Sequence, residues 1–319
     1  MDFKKIVLFN PAISSFNMGD HIIADAAKNQ LDFILSDAFT VEVSSHLPIS
    51  RMYMRHTKDF DLRFVCGSNL LRGKMDRLFR QWDIRLDQAD LIKNSILVGT
   101  GWWQYGDDTD IYTKKLYHSI LSKDVIHSVR DNYTKEQLNK IGFNNVLNTA
   151  CPTMWKLTPD HCNQISPQKK NNVVFTLTDY NKDVVNDKKL IDILIKNYDS
   201  VYYWIQGTKD FEYINSIIDD KNDIKFIAPT LDAFDKVLMQ DDIEYVGTRL
   251  HAGIRALQKK RRSIIIGIDN RAVEKQKDFN IKVINRNELV TLEETLHENT
   301  KMEIIIPEKE IIEWKSQFK

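Results

Sequence analysis

Arg249 and His251 flank Leu250 where a strand turns into a helix, and that placement carries a chemistry. The run 243–246, apolar except for Glu244, reads as a buried parallel strand that Gly247-Thr248 breaks. Leu250, Ile254 and Leu257 then fall at helical spacing. Arg249 and His251 therefore stand at a strand's carboxyl end and a helix's amino end, where free N–H groups and the helix dipole favour an anion. A second strand, 263–268, ends the same way in Asp269-Asn270-Arg271, and a third, 125–129, ends at Arg130. Guanidinium matches carboxylate and phosphate bidentately where lysine does not. An imidazole, with an ordinary pKa of about 6.5, exchanges protons near neutrality. Together these residues make an anion site with a built-in acid. The plain alternatives are a helix-start histidine that packs or caps, and an Arg130 that only pairs with Asp131.

The elements that must position these groups alternate along the chain. Stretches at 6–9, 96–98, 125–129 and 146–149, and the alternating 39–43 and 61–65, read as strands of a first half. Runs at 173–177, 201–205, 224–227, 243–246, 263–268 and 281–284 do so for a second half, with helical stretches between them. The pattern predicts an α/β fold of two Rossmann-like parallel-sheet domains facing a cleft. We place an N-terminal domain at 1–158, carrying Arg130 and the acceptor side. A polar linker follows at 159–172, and a C-terminal domain at 173–319 carries the Arg249 site. The last helix, 308–318, can cross back to the first domain.

Two more loops end strands of the first half. Asn17-Met18-Gly19-Asp20 precedes a helix with apolar residues at Ile22, Ile23, Ala26, Ala27 and Ile34. Gly19 permits close backbone approach, and Asp20 either caps the helix or reaches substrate hydroxyls. Gly99-Thr100-Gly101 closes the strand 96–98, so that a backbone can approach a ligand there. Trp102 and Trp103 next to it stack on a sugar ring or pack in the core. Lys259-Lys260-Arg261-Arg262 reads as a solvated turn, with contact to acidic lipid headgroups open to it.

Composition narrows the class. The chain has 319 residues with 45 basic and 45 acidic side chains, so a non-specific nucleic-acid binder is excluded and any cation cluster is local. Three cysteines, Cys66, Cys151 and Cys162, form no metal-binding spacing, and the histidines other than His251 are isolated. No metal and no cofactor are implied. The N-terminus has a run of four apolar residues, far short of the ~20 that span a bilayer. A cytoplasmic protein is expected, with at most peripheral contact at the inner face of the membrane.

The motifs carry a resemblance as well. R-L-H at a helix start, a strand and a D-x-[KR] turn, together with N-x-G-D at 17–20 and S-V-R-D at 128–131, resemble the polysaccharide pyruvyl transferase family. Arg271 keeps the charge where many members have lysine, while Ile268 and Ser263 replace a tyrosine and a proline. The resemblance implies a GT-B-like pair of domains and transfer of the enolpyruvyl group of phosphoenolpyruvate to sugar hydroxyls, with a pyruvate ketal and phosphate as products. It assigns His251 as the acid and Arg249 and Leu250 to the donor, while Arg130 and Arg271 are anion-binding candidates as guanidiniums at strand ends. Asn17, Gly19 and Gly101 are taken to line the substrate, and Asp20 is our own choice of base, which the resemblance does not assign. The acceptor is a surface saccharide or its precursor, lipid-linked or free. Competing readings are a GT-B glycosyltransferase using a nucleotide sugar and a non-catalytic sugar- or anion-binding protein.

Overall fold

The computed structural model describes residues 3–103, 106, 108–218, 223–268 and 276–319, with the backbone alone at residue 54. They pack into two compact units. Unit 1 is Met1–Ser15, Ile23–Trp155 and Pro307–Lys319; unit 2 is Phe16–Ile22 and Lys156–Ile306.

In unit 1, the strands β1 (Lys4–Asn10), β2 (Ala38–Ser44), β3 (Leu62–Cys66) and β4 (Ser95–Val98) form a parallel sheet in the order β2-β1-β3-β4. The strands β5 (His127–Val129) and β6 (Val146–Asn148) form a parallel pair. A bridge from Thr100 to Val129, and the Gly99 N–H donating to Ser128 Oγ at 2.8 Å, carry the alignment from β4 to β5. Ile6, Val7, Leu8 and Phe9 are all buried, the signature of a strand covered on both faces. The helix Met18–Leu35 presents Ile23, Ala27, Leu31 and Ile34 along one buried stripe. The helix Glu308–Ser316 also belongs here, with the indole of Trp314 fully buried against Phe64 and Trp155.

Unit 2 holds β7 (Asn172–Thr176), β8 (Ser200–Trp204), β9 (Ile224–Ile227), β10 (Ile243–Gly247), β11 (Ser263–Gly267) and β12 (Val283–Asn285). All pair in parallel, in the order β12-β11-β10-β7-β8-β9. Counted from β7, that is the 3-2-1-4-5-6 order of Rossmann sheets, and it reverses direction between β7 and β10. Ligands of such sheets bind outside the carboxyl ends at the reversal.

Several local features differ from the sequence reading. The stretch 159–172 opens with a helical turn, Pro159–Cys162, capped by Thr158, and His161 buries its ring to bond the Leu257 carbonyl through Nε2 at 2.8 Å. The helix expected at 289–296 is a 3-10 turn, Arg286–Thr291, followed by Leu292–His297, with the break at Glu288. A short helix, Arg51–Thr57, capped by Ser50, had no clear periodicity to announce it. The solvated-turn reading of 259–262 holds for Lys260, which is exposed, and fails for Arg262. Arg262 is 1% exposed and donates through Nη1 to Glu244 Oε2 at 2.8 Å, while the Tyr198 hydroxyl donates to Oε1 at 2.5 Å. A carboxylate inside a buried strand requires such partners, and they turn this arginine inward.

Candidate functional site

The site in unit 2 is built on the reversal between β7 and β10. Past Gly247 the chain extends through Thr248 to Arg249, the N-cap of the helix Leu250–Gln258. Arg249 is 6% exposed and tied to the end of β7 on several sides. Its backbone N–H donates to Thr176 Oγ1 at 3.3 Å, and its carbonyl accepts from the Tyr245 hydroxyl at 2.9 Å. Its Nε donates to the Leu177 carbonyl at 2.9 Å. Its Nη2 donates to Asp179 at 2.7 Å and to Asp210 at 2.5 Å. The ring of Tyr180, itself largely exposed, lies 5.2 Å from the guanidinium carbon, within cation–π reach.

Burial works against the charge on Arg249, but the facing Asp210, with Tyr180 and Asp179, outweighs it and raises its pKa above the ordinary value. Burial likewise raises the Asp210 carboxyl above the usual carboxylate range, against the pull of Arg249 and the Gly207 N–H. Arg249 is thus a fixed cation already faced by two acids. Its Nε and Nη2 are committed to these partners among the described residues.

Asp210 is fully buried, and its second oxygen accepts from the Gln206 N–H at 3.0 Å and the Gly207 N–H at 2.7 Å. Gln206 in turn holds the turn at 17–19. Its carbonyl accepts from the Met18 N–H at 2.9 Å, and its Nε2 donates to Asn17 Oδ1 at 3.2 Å. Asn17 Oδ1 also accepts from the Gly19 N–H at 3.0 Å. A β-carbon on residue 19 would stand 3.1 Å from both Gln206 Nε2 and Asn17 Oδ1, so glycine leaves the amide its path. Asp20 is half-buried in the first turn of its helix. Leu250 and His251 are half-buried in the first turn of theirs.

Gly101 and Arg130 form a second group, in unit 1. Arg130 is 8% exposed, and its Nε donates to Asp131 Oδ2 at 2.9 Å. Asp131 caps the helix Asn132–Lys140 through the Thr134 N–H at 2.8 Å. Gly101 lies beneath the Arg130 side chain, its N–H donating to the Ser68 carbonyl at 2.8 Å. Trp102 packs in the core edge-to-face with Tyr117, whereas Trp103 carries Arg72 over its ring at 4.8 Å. Cys151 is buried. Arg271 lies outside the described residues.

The structure brings Arg249 and the 17–19 turn onto one hydrogen-bonded frame and sets Gly101 against Arg130. Asp179, Tyr180, Gln206 and Asp210 were not singled out from the sequence. The one available sign was Gln206-Gly207 directly after the apolar run 201–205, the carboxyl end of a strand.

A family model described as polysaccharide pyruvyl transferase matches residues 17–270. No curated protein matches the sequence. Among solved structures, the chain is similar to Staphylococcus aureus MnaA with UDP, at 11% identity and a TM-score of 0.56, covering 97% of this chain and 94% of that one. It is similar to the Methanocaldococcus jannaschii UDP-GlcNAc 2-epimerase in complex with UDP-GlcNAc and UDP, at 12% identity and a TM-score of 0.54, covering 100% of this chain and 99% of that one. The Neisseria meningitidis UDP-GlcNAc 2-epimerase bound to UDP-GlcNAc matches at 12% identity and a TM-score of 0.54, covering 99% of each chain. At these identities the likeness is one of fold, a GT-B-like α/β architecture of two parallel-sheet units.

Proposed function

Because the chain belongs to the polysaccharide pyruvyl transferase family, we propose that it moves the pyruvyl group of phosphoenolpyruvate onto two hydroxyls of a surface saccharide or its precursor. The observation that supports this most is Arg249 at the reversal of the unit 2 sheet with His251 on the first turn beside it. A phosphomonoester carries about −1.5 to −2 charge at neutral pH, and the donor's carboxylate adds to it. Arg249, with Arg271, supplies the cations, and the helix amino end at Leu250 adds its N–H groups. Bonds to charged groups contribute about 1.5–3 kcal/mol each, so two or three reach the ~4–8 kcal/mol of a millimolar to micromolar complex.

In this reading His251 gives a proton to the methylene carbon of the donor, which makes C2 electrophilic. A sugar hydroxyl attacks C2 and passes its proton to a base, the role we give to Asp20 beside Asn17 and Gly19. Phosphate leaves with the C2–O bond pair, and a second hydroxyl closes the ketal, its proton leaving with the phosphate. No metal or cofactor enters the scheme. Gly101 and Arg130 serve the acceptor side. The acceptor is lipid-linked or free, and the work is done in the cytoplasm or at the inner membrane face. Among the described residues no helix is long and apolar enough to cross a membrane.

Thermal shifts with phosphoenolpyruvate and with uridine diphosphate, followed by phosphate release with diol-bearing glycans, test the reading. Stabilisation by phosphoenolpyruvate, with release of phosphate and a glycan heavier by a pyruvate less water, is the expected result. Stabilisation by uridine diphosphate alone would replace it with nucleotide-sugar glycosyl transfer. Binding of the donor without turnover across such glycans would leave a sugar- or anion-binding protein.

A further inference from the structure

We propose that Asp210 and Gln206 are positioning residues that hold Arg249 and the Asn17–Gly19 turn as one rigid piece on the carboxyl edge of the unit 2 sheet. The catalytic part of this inference rests on the function proposed above; the mechanical part does not.

Each of the two residues faces two ways. Asp210 gives one carboxylate oxygen to Arg249 Nη2 and the other to the N–H groups of Gln206 and Gly207. Gln206 gives its carbonyl to the Met18 N–H and its amide N–H to Asn17 Oδ1. The orientation of that amide is fixed, because Asn17 Oδ1 already accepts from the Gly19 N–H and can only accept again. Satisfying the amide's own oxygen does not set this orientation. Gln206 is 3% exposed and its Oε1 has no partner among the described residues. A glutamine held in that state is held by its nitrogen.

Stability alone gives little reason for the arrangement, since buried ion pairs are often replaced by apolar groups of like size without loss. Geometry gives a reason. Arg249 and Asn17 lie far apart in sequence, on a strand end and a helix start, and Asp210 with Gln206 fixes the angle of one against the other. Small displacements of such groups are costly to catalysis, so a frame that removes the play between them serves turnover.

A double-mutant cycle of Asn17→Ala and Asp210→Asn, read in kcat/KM for phosphoenolpyruvate and in amide hydrogen exchange, tests the tie. Asp210→Asn is expected to speed exchange at Met18 and Gly19 by about tenfold. In the double variant the loss of kcat/KM should fall short of the product of the single losses by at least about threefold. Gln206→Met leaves the Arg249–Asp210 pair in place and keeps the test open should Asp210→Asn fold poorly. It is expected to lower kcat per folded molecule by about tenfold, with the folded fraction read by circular dichroism, while KM for phosphoenolpyruvate stays within about twofold. Unchanged exchange at Met18 and Gly19 in either Asp210→Asn or Gln206→Met, or strictly multiplicative losses, overturns the proposal. If the wild-type chain does not consume phosphoenolpyruvate, the proposed reaction falls, and the exchange measurement still decides whether the tie exists.

Discussion

The side chain of Arg130 fills the space that any β-carbon on residue 101 would take, with Nε 2.1 Å and Cζ 2.4 Å from that position. Gly101 is therefore the floor on which the Arg130 guanidinium lies. Gly101→Ala is expected to push Arg130 away from Asp131 at a cost of about 1–3 kcal/mol, the usual penalty of overpacking. Denaturant unfolding and pyruvyl transfer should both suffer. Wild-type stability together with wild-type turnover in this variant would show that the space is not needed.

Removing the guanidinium of Arg249 has a structural effect and a binding effect. In Arg249→Ala the buried Asp210 loses its counter-charge, and breaking such pairs costs about 3–5 kcal/mol of stability. Donor affinity should fall by roughly 2–4 kcal/mol as well. Arg249→Lys keeps the charge but cannot reach Leu177, Asp179 and Asp210 at once, so it should recover stability only in part. Titration calorimetry with phosphoenolpyruvate, beside unfolding of each variant, separates the two effects. A donor affinity unchanged in folded Arg249→Ala would place this arginine outside the donor site.

For His251 the opposite division is expected. His251→Ala should bind phosphoenolpyruvate within a few-fold of wild type and lose turnover by about 10²–10⁴, because proton transfer is a service to the transition state. Single-turnover phosphate release, set against the dissociation constant, measures the division. Near-normal release would remove His251 from the acid's role.

Acid sensitivity should centre on His127 in unit 1. Its ring is fully buried, with Nε2 against the Ser122 carbonyl at 2.8 Å and the Leu97 N–H donating to Nδ1 at 3.2 Å. Burial lowers its pKa from 6.5 to about 4, with only the Ser122 bond opposing the shift. Between those values the unfolded chain binds the proton and the folded chain does not. Stability is therefore fully present above about pH 6.5 and falls as the pH drops toward 4, by about 3 kcal/mol for this group. His127→Gln can accept from Leu97 and donate to Ser122 without titrating. Unfolding free energies at pH 7 and pH 4 should differ more in the wild type than in this variant, and equal slopes would exclude the histidine as the source.

Much of the fold was readable because its strands are short apolar runs between helices of clear periodicity. Ile6–Phe9 and the runs around Val246 and Ile265 are buried on both faces, and only such strands look continuous in sequence. Pairing order was not readable, since nothing local says that β7 lies beside β10. Arg262 was misjudged through its neighbours, as a basic cluster looks solvated. The lone Glu244 inside a buried strand was the sign that a cation had to be turned in. Asp210 left no comparable mark. An acid at a helix start looks like a cap, and only folding brings Arg249 to its other oxygen.

The grip of Gln206 on Asn17 closes a separation of 189 residues. At about 5–20 residues per second, a ribosome takes roughly 10–40 s to make the second of these residues after the first. Throughout that time the 16–22 segment lacks its two bonds to Gln206, although the strand before it and the helix after it can already begin to pack. The nascent chain must carry this turn without its bonds to Gln206 through much of its synthesis and complete them only when the strand that ends at Trp204 has emerged.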